Sequence, residues 1–409
     1  MFIGPGADAI ALMGSKTAAR AAARRAGVPV VPGSPGDAPI PADASGEQIR
    51  RLGDDIGFPL LVKAVSGGGG KGMRTVADRG QLAGAVLAAR SEAGAAFGDA
   101  AVYFERSLVR PRHIEVQVLG DEHGTVVPFV ERECSIQRRH QKVIEETPSP
   151  AVSPALRQAI TSAAALVARS VGYTNAGTVE FLLDEDGRFF FLEMNTRLQV
   201  EHPITEMVSG LDLVRWQIRI ARGERLEIDA DRALLPGGHA IECRIYAEDP
   251  DNNFLPSPGR VLDWRAPGGP GIRYDSGIDA GLDVPIFYDA LLSKLVAWGE
   301  DRTAAVARMR RALGELIVTG IDTTVPFFTW LLDQPEFLEG RFHTTYVDEA
   351  VRARNGRPFA TPADQVEVVA AIAAALDAVL APAPASRDGK RPGDARRWKT
   401  LARAEGLRE

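Results

Sequence analysis

Glu193-Met194-Asn195-Thr196-Arg197-Leu198-Gln199-Val200-Glu201 alternates versatile polar residues with a mostly apolar row. A β-strand turns successive side chains to opposite faces, so in extended form Glu193, Asn195, Arg197, Gln199 and Glu201 share one side. A merely solvated strand face more usually carries Lys, Glu, Thr and Ser than this ordered set. Just upstream, residues 177–183 and 188–195 flank Asp184-Glu185-Asp186-Gly187 and read as a hairpin. If two or four residues form the turn, pairing centres between Glu185 and Asp186. Glu180 then opposes Phe191, and Glu180 and Glu193 become diagonal neighbours on one face, roughly 7–8 Å apart. Two carboxylates reaching across that gap, with Asn195 one step further, supply the oxygen ligands that suit Mg²⁺ or Mn²⁺. A three- or five-residue turn would put the glutamates on opposite faces. Phe181, Phe189 and Phe191 mark the hairpin as largely buried, and buried carboxylates need partners.

Outward from this hairpin, the chain alternates helix and strand signals. Residues 7–26 predict a helix ended by Gly27, and residues 27–48, rich in Pro, Gly and Asp, predict a connector. Residues 58–64 and 73–76 are short strand candidates, followed by an Ala-rich helix over 80–96. Residues 101–106 and 113–119 have strand character. Ser153-Pro154 is a helix start, and Leu156, Ile160, Ala163 and Val167 give an amphipathic face that ends at Gly172. Further strands are expected at 239–246, 260–264 and 294–298, with a helix over 302–316.

Between the strands 58–64 and 73–76 lies Ser66-Gly67-Gly68-Gly69-Gly70-Lys71-Gly72. Such a run lets backbone N–H groups approach phosphate oxygens, and Lys63 and Lys71 add positive charge. It is neither a Walker A motif nor a dinucleotide fingerprint, because no Ser or Thr follows Lys71 and a strand rather than a helix comes next. It reads either as a plain flexible hairpin tip or as a mobile lid over phosphates. Gln137-Arg138-Arg139-His140-Gln141-Lys142 is, taken alone, an ordinary solvated charge run, and His113 alone is an ordinary structural histidine.

The net charge of −6 argues against a general nucleic-acid binder, whose affinity would rest on phosphate neutralisation. No apolar run approaches the length of a membrane span, and no basic-then-apolar leader is visible. Two isolated cysteines, Cys134 and Cys243, make neither a disulfide framework nor a zinc site, so a reducing cytoplasm is the expected setting.

Taken in order, the motifs resemble biotin carboxylase, the ATP-grasp component of biotin-dependent carboxylases. The matching segments are Phe2-Ile3-Gly4-Pro5, Met13-Gly14-Ser15-Lys16, Lys63 with Gly67–Gly70, Pro111-Arg112-His113, Glu133 through Lys142, Glu193 through Pro203, and Glu242-Cys243-Arg244-Ile245. Phe254-Leu255-Pro256-Ser257-Pro258-Gly259 and Tyr288-Asp289 also fit, so the resemblance runs from residue 1 to about 350.

The resemblance implies an α+β chain. Its ATP-grasp core would span residues 1–34 and 108–235, with a small glycine-loop lid at 35–107. A β-rich biotin-carboxylase C-terminal domain would follow at 236–350, and then a helical extension at 351–409 with a linker at 381–396. It implies that Lys16, Lys63 and His113 contact ATP, with Gly67, Gly68, Gly69 and Gly70 closing over its phosphates. Glu105, Arg106 and Leu108 would line the adenine site, Gln137 and His140 would also serve the nucleotide, and Leu182, Leu192 and Ile321 would pack near the base. Glu180, Glu193 and Asn195 would hold Mg²⁺ or Mn²⁺. Lys142, Arg197, Gln199, Val200 and Arg244 would surround bicarbonate and biotin, with Glu201 as general base.

The implied reaction is ATP-dependent carboxylation of biotin through carboxyphosphate, within an acetyl-CoA, propionyl-CoA or pyruvate carboxylase system. Its implied partners are a biotin carboxyl carrier protein, carboxyltransferase subunits and a second copy in a homodimer, with no nucleic acid and no membrane. Relatives normally carry a further Rossmann-like domain ahead of Phe2, which this sequence lacks, and no Ala-Met-Lys-Met-type biotin-attachment motif is present. Lys71 stands where many relatives have Arg, Thr324 where Asn is common, and Pro270 where some have Phe at a subunit contact. The alternatives are a truncated, non-catalytic carboxylase subunit, or another ATP-grasp ligase that forms an acyl phosphate, such as a carbamoyl-phosphate synthetase-like protein.

Overall fold

The computed structural model describes residues 1–35, 38–66, 72–360 and 364–380. The helix expected over 7–26 is two helices, α1 (Ala7–Gly14) and α2 (Lys16–Arg25). Ser15 between them is extended, and its hydroxyl accepts from the Ala18 N–H. An N-capping serine satisfies a donor that the helix cannot. The break makes Lys16 the first residue of α2, and α2 packs on the hairpin that carries Glu193.

The lid is built from α3 (Gly46–Ile56), β1 (Leu60–Ala64), β2 (Arg74–Val76), α4 (Leu82–Phe97) and β3 (Val102–Arg106). Its antiparallel sheet has the order β2-β1-β3, and Leu60, Val62, Val76, Val86 and Phe104 close its core. Burying each such side chain stabilises the unit by about 1.5–3 kcal/mol. Ser45 and Gln48 form a reciprocal capping box that starts α3. β1 and β2 are antiparallel neighbours, from Leu60↔Val76 to Val62↔Arg74. Gly67, Gly68, Gly69, Gly70 and Lys71, the residues read as a phosphate lid, lie outside the described residues.

The main sheet joins β4 (Arg112–Gly120), β5 (Val126–Pro128), β6 (Arg132–Arg138), β7 (Gln141–Thr147), β8 (Asn175–Leu183), β9 (Phe189–Asn195) and β10 (His239–Tyr246) to the strands Ile272–Ser276 and Leu291–Gly299. All of these pairings are antiparallel. The order is Ile272–Ser276, Leu291–Gly299, β10, β7, β6, β4, β8, β9, with β5 beside β4. The expected division at 235/236 therefore does not interrupt the sheet. β10 pairs with β7 from Ala240↔Thr147 to Cys243↔Ile144 and covers what would otherwise be an open edge of β7.

Helix α5 (Pro154–Ser170) begins as its sequence dictates, with Ser153 accepting from the Leu156 N–H. Its apolar face, Ile160, Ala163, Ala164 and Val167, meets Ile114, Val116 and Val118 of β4. Residues Pro358–Glu409 form a second unit, in which Asp364–Leu380 is helical. The linker expected at 381–396 lies outside the described residues.

One buried ion cluster ties the neighbouring strands β7 and β10 to the helix that begins at Arg302. Glu146 on β7 lies 2.7 Å from His239 Nε2 and accepts from Arg302 Nε at 2.7 Å. Burial alone would raise the Glu146 pKa, but His239 and Arg302 outweigh it and hold the carboxyl down at about 2. A depressed carboxylate pKa stabilises the fold above the ordinary value and loses that contribution as pH falls through the folded value. Between pH ~4.5 and ~2, Glu146 should therefore forfeit stability on the order of 3 kcal/mol. Urea unfolding across that window, compared with Glu146→Gln, checks this; identical pH slopes for both proteins would refute it.

Candidate active site

The hairpin decides where the carboxylates stand. Leu183 pairs with Phe189, so five residues make the turn, the length expected to separate Glu180 from Glu193. A β-bulge corrects the register. Phe181 faces Phe191, yet Glu180 faces Glu193, which leaves Leu192 as the extra residue. The two glutamates are thus directly opposed rather than diagonal, and Thr178 faces Asn195. Strand geometry also stops at Asn195. Residues 196–201 turn into α6 (His202–Ser209), and Glu201 occupies that helix's N-cap position. The five polar residues of the opening stretch therefore do not share one strand face.

Lys142 stands at the centre of the site. Arg139 and His140 make a two-residue turn with positive φ, 50° and 67°, between β6 and β7, and Lys142 follows it. The Lys142 ammonium donates to Glu115 at 2.5 Å, Glu180 at 2.9 Å and Glu201 at 2.7 Å. Burial pushes its pKa down, but the three carboxylates raise it well above the ordinary lysine value. Glu201 is fully buried and is also held by Arg244 Nη2 at 2.9 Å. Burial raises the Glu201 pKa, while Lys142, Arg244 and Arg132 together pull it well below the usual range. His113 Nε2 lies 2.9 Å from Glu180, and the Gln137 side-chain amide meets the other ring nitrogen at 2.9 Å. Burial lowers the His113 pKa, and Glu180 more than reverses this. Glu180 is brought down to about 2 against its burial, chiefly by Lys142 and His113.

A second group lies towards the lid. Glu105 is buried on β3 and pairs with Lys63 at 2.5 Å and Arg20 at 2.9 Å, and Tyr103 donates to it. Its carboxylate is therefore a counter-ion that fixes Lys63. Arg106 is exposed at the end of β3, and Leu108 is half-buried. Lys16 has its pKa lowered by burial and then by Lys63, while Glu193 and Glu105 act the other way. Two neighbouring ammonium groups at a partly buried position make a place that favours an anion.

Leu182 faces Phe190 and pairs with His113 across β4 and β8, so it borders the site; Leu192 sits at the bulge. Ile321 does not join them. It packs with Val261, Ile278, Val284 and Leu292, around the strand pair that leads away from the sheet. The segment that does reach this end of β4 is 340–344. Thr344 N–H donates to Pro111, Arg112 donates to the Gly340 carbonyl, and Phe342 lies under the Arg112 guanidinium. His140 is exposed on its turn, apart from the buried lattice. Arg197 is also exposed and reaches Gln199 at 3.3 Å, and the Val200 carbonyl accepts from Lys294.

These observations meet two family descriptions. "Carbamoyl-phosphate synthase L chain, ATP binding domain" matches residues 15–229, and "Biotin carboxylase C-terminal domain" matches residues 242–349. The biotin carboxylase of Nostoc sp. is 51% identical over 348 residues, 85% of this chain and 76% of that protein. The chain belongs to the biotin carboxylase family. The biotin carboxylase of Pseudomonas aeruginosa is 48% identical over 85% of this chain and 76% of its own. Among solved structures, the biotin carboxylase of Campylobacter jejuni in complex with β-γ-ATP superposes with a TM-score of 0.81 at 44% identity, over 85% of this chain and 76% of that one. The biotin carboxylase domain dimer of Hydrogenobacter thermophilus 2-oxoglutarate carboxylase, in complex with MgADP, ADP and bicarbonate, gives 0.82 at 42% identity, over 88% and 78%.

Within this member of the biotin carboxylase family, the donor chemistry suits a hard divalent cation at Glu180, Glu193 and Asn195. Glu193 has no hydrogen-bond or ion-pair partner among the described residues, and burial followed by Glu180 raises its pKa. A half-buried carboxylate facing a second carboxylate is stabilised when a cation lies between them. Asn195 donates its amide N–H to Glu180 and keeps its carbonyl oxygen for another partner. His113, Glu115 and Glu180 also cluster closely, but Glu115 is already neutralised by Arg132 and Lys142.

Sequence reasoning missed Glu115, Arg132, Arg20 and Tyr103. The alternation His113, Glu115, Gln117 along β4 would have shown Glu115, because His113 heads that face. Nothing in the sequence around Arg132 distinguishes it from a surface arginine.

Proposed function

We propose that Glu201 deprotonates bicarbonate in the ATP-dependent carboxylation of biotin, and that Lys142 and Arg244 switch it on. The enzyme is an ATP-dependent ligase that uses bicarbonate to carboxylate biotin, with ADP and phosphate as products. The observation that carries the proposal is the shared grip of Lys142 and Arg244 on the buried Glu201 carboxylate. In the free enzyme those cations keep Glu201 ionised and weakly basic. Phosphate and bicarbonate oxygens arriving at Lys142 and Arg244 compete for the same N–H groups. Glu201 then loses part of its stabilisation and becomes a stronger base when its substrate is in place.

Bringing two anions together is the difficulty of this chemistry, and fixed cations offset it. Lys16, Lys63 and Lys142 are set to face phosphates, with His113 alongside. Mg²⁺ or Mn²⁺ held by Glu180, Glu193 and Asn195 would neutralise phosphate charge and orient the γ-phosphoryl group. Arg197 and Arg244 offer planar forks for a carboxylate-like anion, and Gln199 and Val200 border them. Beside Arg244, a cavity of about 430 Å³ opens between Gln141, Tyr246, Glu248, Val284 and Tyr288, a volume suited to a small bicyclic ring such as biotin's.

The biotin would arrive on a carrier protein and leave for a carboxyltransferase, in a homodimeric assembly. Both cysteines are free and buried, which fits a reducing cytoplasm. Among the described residues, no helix is long and apolar enough to cross a membrane.

The test is phosphate release from ATP with and without bicarbonate, Mg²⁺ and free biotin. Release should require bicarbonate and metal, and should rise with biotin. Glu193→Gln should raise the Mg²⁺ concentration needed for half-activity by about tenfold, the loss of one charge-assisted ligand, and leave metal-free nucleotide binding intact. Release that ignores bicarbonate and biotin alike would remove this function.

A further inference from the structure

Behind Arg244 lie two carboxyls that the mechanism does not use. Glu145 on β7 and Glu242 on β10 are direct cross-strand partners, and both are fully buried. None of their four carboxylate oxygens accepts a hydrogen bond. Arg244 Nη2 lies 2.6 Å from Glu145, an ion-pair contact without hydrogen-bond alignment, and the same nitrogen donates to Glu201.

Glu242, buried with neither a donor nor an ion pair, is too costly to keep ionised and takes up a proton instead, and Glu145 has only the misaligned Arg244 that it shares with Glu201. The local charges agree with this. Glu115, Glu180 and Glu201 are matched by Arg132, Lys142 and Arg244. Glu145 and Glu242 are in excess. The remaining cation nearby, Lys294, is engaged by the Val200 carbonyl and Asp275. The neighbouring Cys134, Cys243 and Tyr246 are all pushed up by burial and stay neutral. Burial also raises both carboxyls, with Glu145 at about 7 and Glu242 well above the ordinary range.

We propose that Glu145 and Glu242 act as one protonated acid pair that positions Arg244 for Glu201 and its substrates. With the pair protonated, Arg244 is free to serve Glu201 and an incoming anion. When Glu145 ionises, it draws the guanidinium back towards β7. Glu242 acts through Glu145 and is a positioning residue. The inference rests on the function proposed above for Arg244.

The decisive measurement that needs no substitution is the infrared spectrum of the unmodified full chain. A carboxylic acid C=O band should be present at neutral pH, weaken as pH rises and be reduced in Glu242→Gln. No such band at neutral pH would overturn the pair. In kinetics, the KM for free biotin should rise as pH passes upward through neutrality, and this rise should vanish in Glu145→Gln. At pH 7, Glu242→Gln keeps a neutral head and should turn over within about twofold of the unmodified chain, while Glu242→Ala should lose about tenfold or more. A Glu145→Gln profile that still tracks the unmodified chain, or equal losses in the two Glu242 variants, would overturn the proposal. Absence of biotin-stimulated turnover in the unmodified chain would instead tell against the function, because the infrared band does not depend on it.

Discussion

Glu201→Gln should lower bicarbonate-dependent phosphate release by about 10²–10⁴-fold, the usual contribution of a positioned general base. ATP affinity should change little, because Glu201 pairs with Lys142 and Arg244 and not with Lys16, Lys63 or His113. The fold should survive. Lys142 keeps Glu115 and Glu180, and Glu145, 2.6 Å from Arg244, can give up its proton once the Glu201 charge is gone, so neither cation is left unpaired in the interior. The amide is nearly the same size as the carboxylate, and its one oxygen can still accept from Lys142 or Arg244 while the NH2 group replaces the other oxygen. Nucleotide binding by calorimetry and single-turnover phosphate release separate the two effects. Turnover retained within a few-fold would exclude Glu201 as the base and would move attention to a substrate group as proton acceptor.

Arg132→Met should be the most destabilising single change in the site, at about 3–5 kcal/mol. Its guanidinium is fully buried and donates to four side chains: from Nε to Glu115, from Nη1 to Gln117 and Thr205, and from Nη2 to Thr178. Methionine leaves Glu115 with Lys142 as its one remaining cation and strands three neutral acceptors. The surviving charge would also pull Lys142 away from Glu201, so activity should fall with stability. Glu115→Leu combined with Arg132→Met removes both buried charges and should recover much of the stability. It should not recover activity, because Lys142 then lacks one of its three anchors. Denaturant midpoints and phosphate release on the three proteins check this. A single variant as stable as the unmodified chain would show that Arg132 is not a structural hub.

The aromatic row of the hairpin, the Ser153 cap and the alternation as far as Asn195 were legible because each is a local signal with a local cause. The run from Gln137 to Lys142 read alone as a solvated charge run, whereas Gln137 and Arg138 are buried and Lys142 is tied to three carboxylates. Register was not legible either. A five-residue turn should have separated Glu180 from Glu193, and only the bulge at Leu192 reunited them. A bulge shifts pairing by one residue without any particular residue type, so composition does not announce it. Ile321 was misplaced for a related reason. Packing neighbours are chosen by the path of the chain, and that path takes Ile321 to the Val261–Val284 cluster and brings 340–344 to β4 instead.

Sequence alone therefore determined which functional groups this protein possesses, and in what order: the carboxylates of 180–201, the lysines at 16, 63 and 142, and the arginine at 244. Their family resemblance was already readable there. Tertiary structure decided their charges. Lys142 became a bridge among three glutamates, Glu105 became a counter-ion, and Glu145 met Glu242 across two strands distant in sequence. Ionisation depends on burial and on neighbours within a few ångströms, and only the folded sheet sets either one.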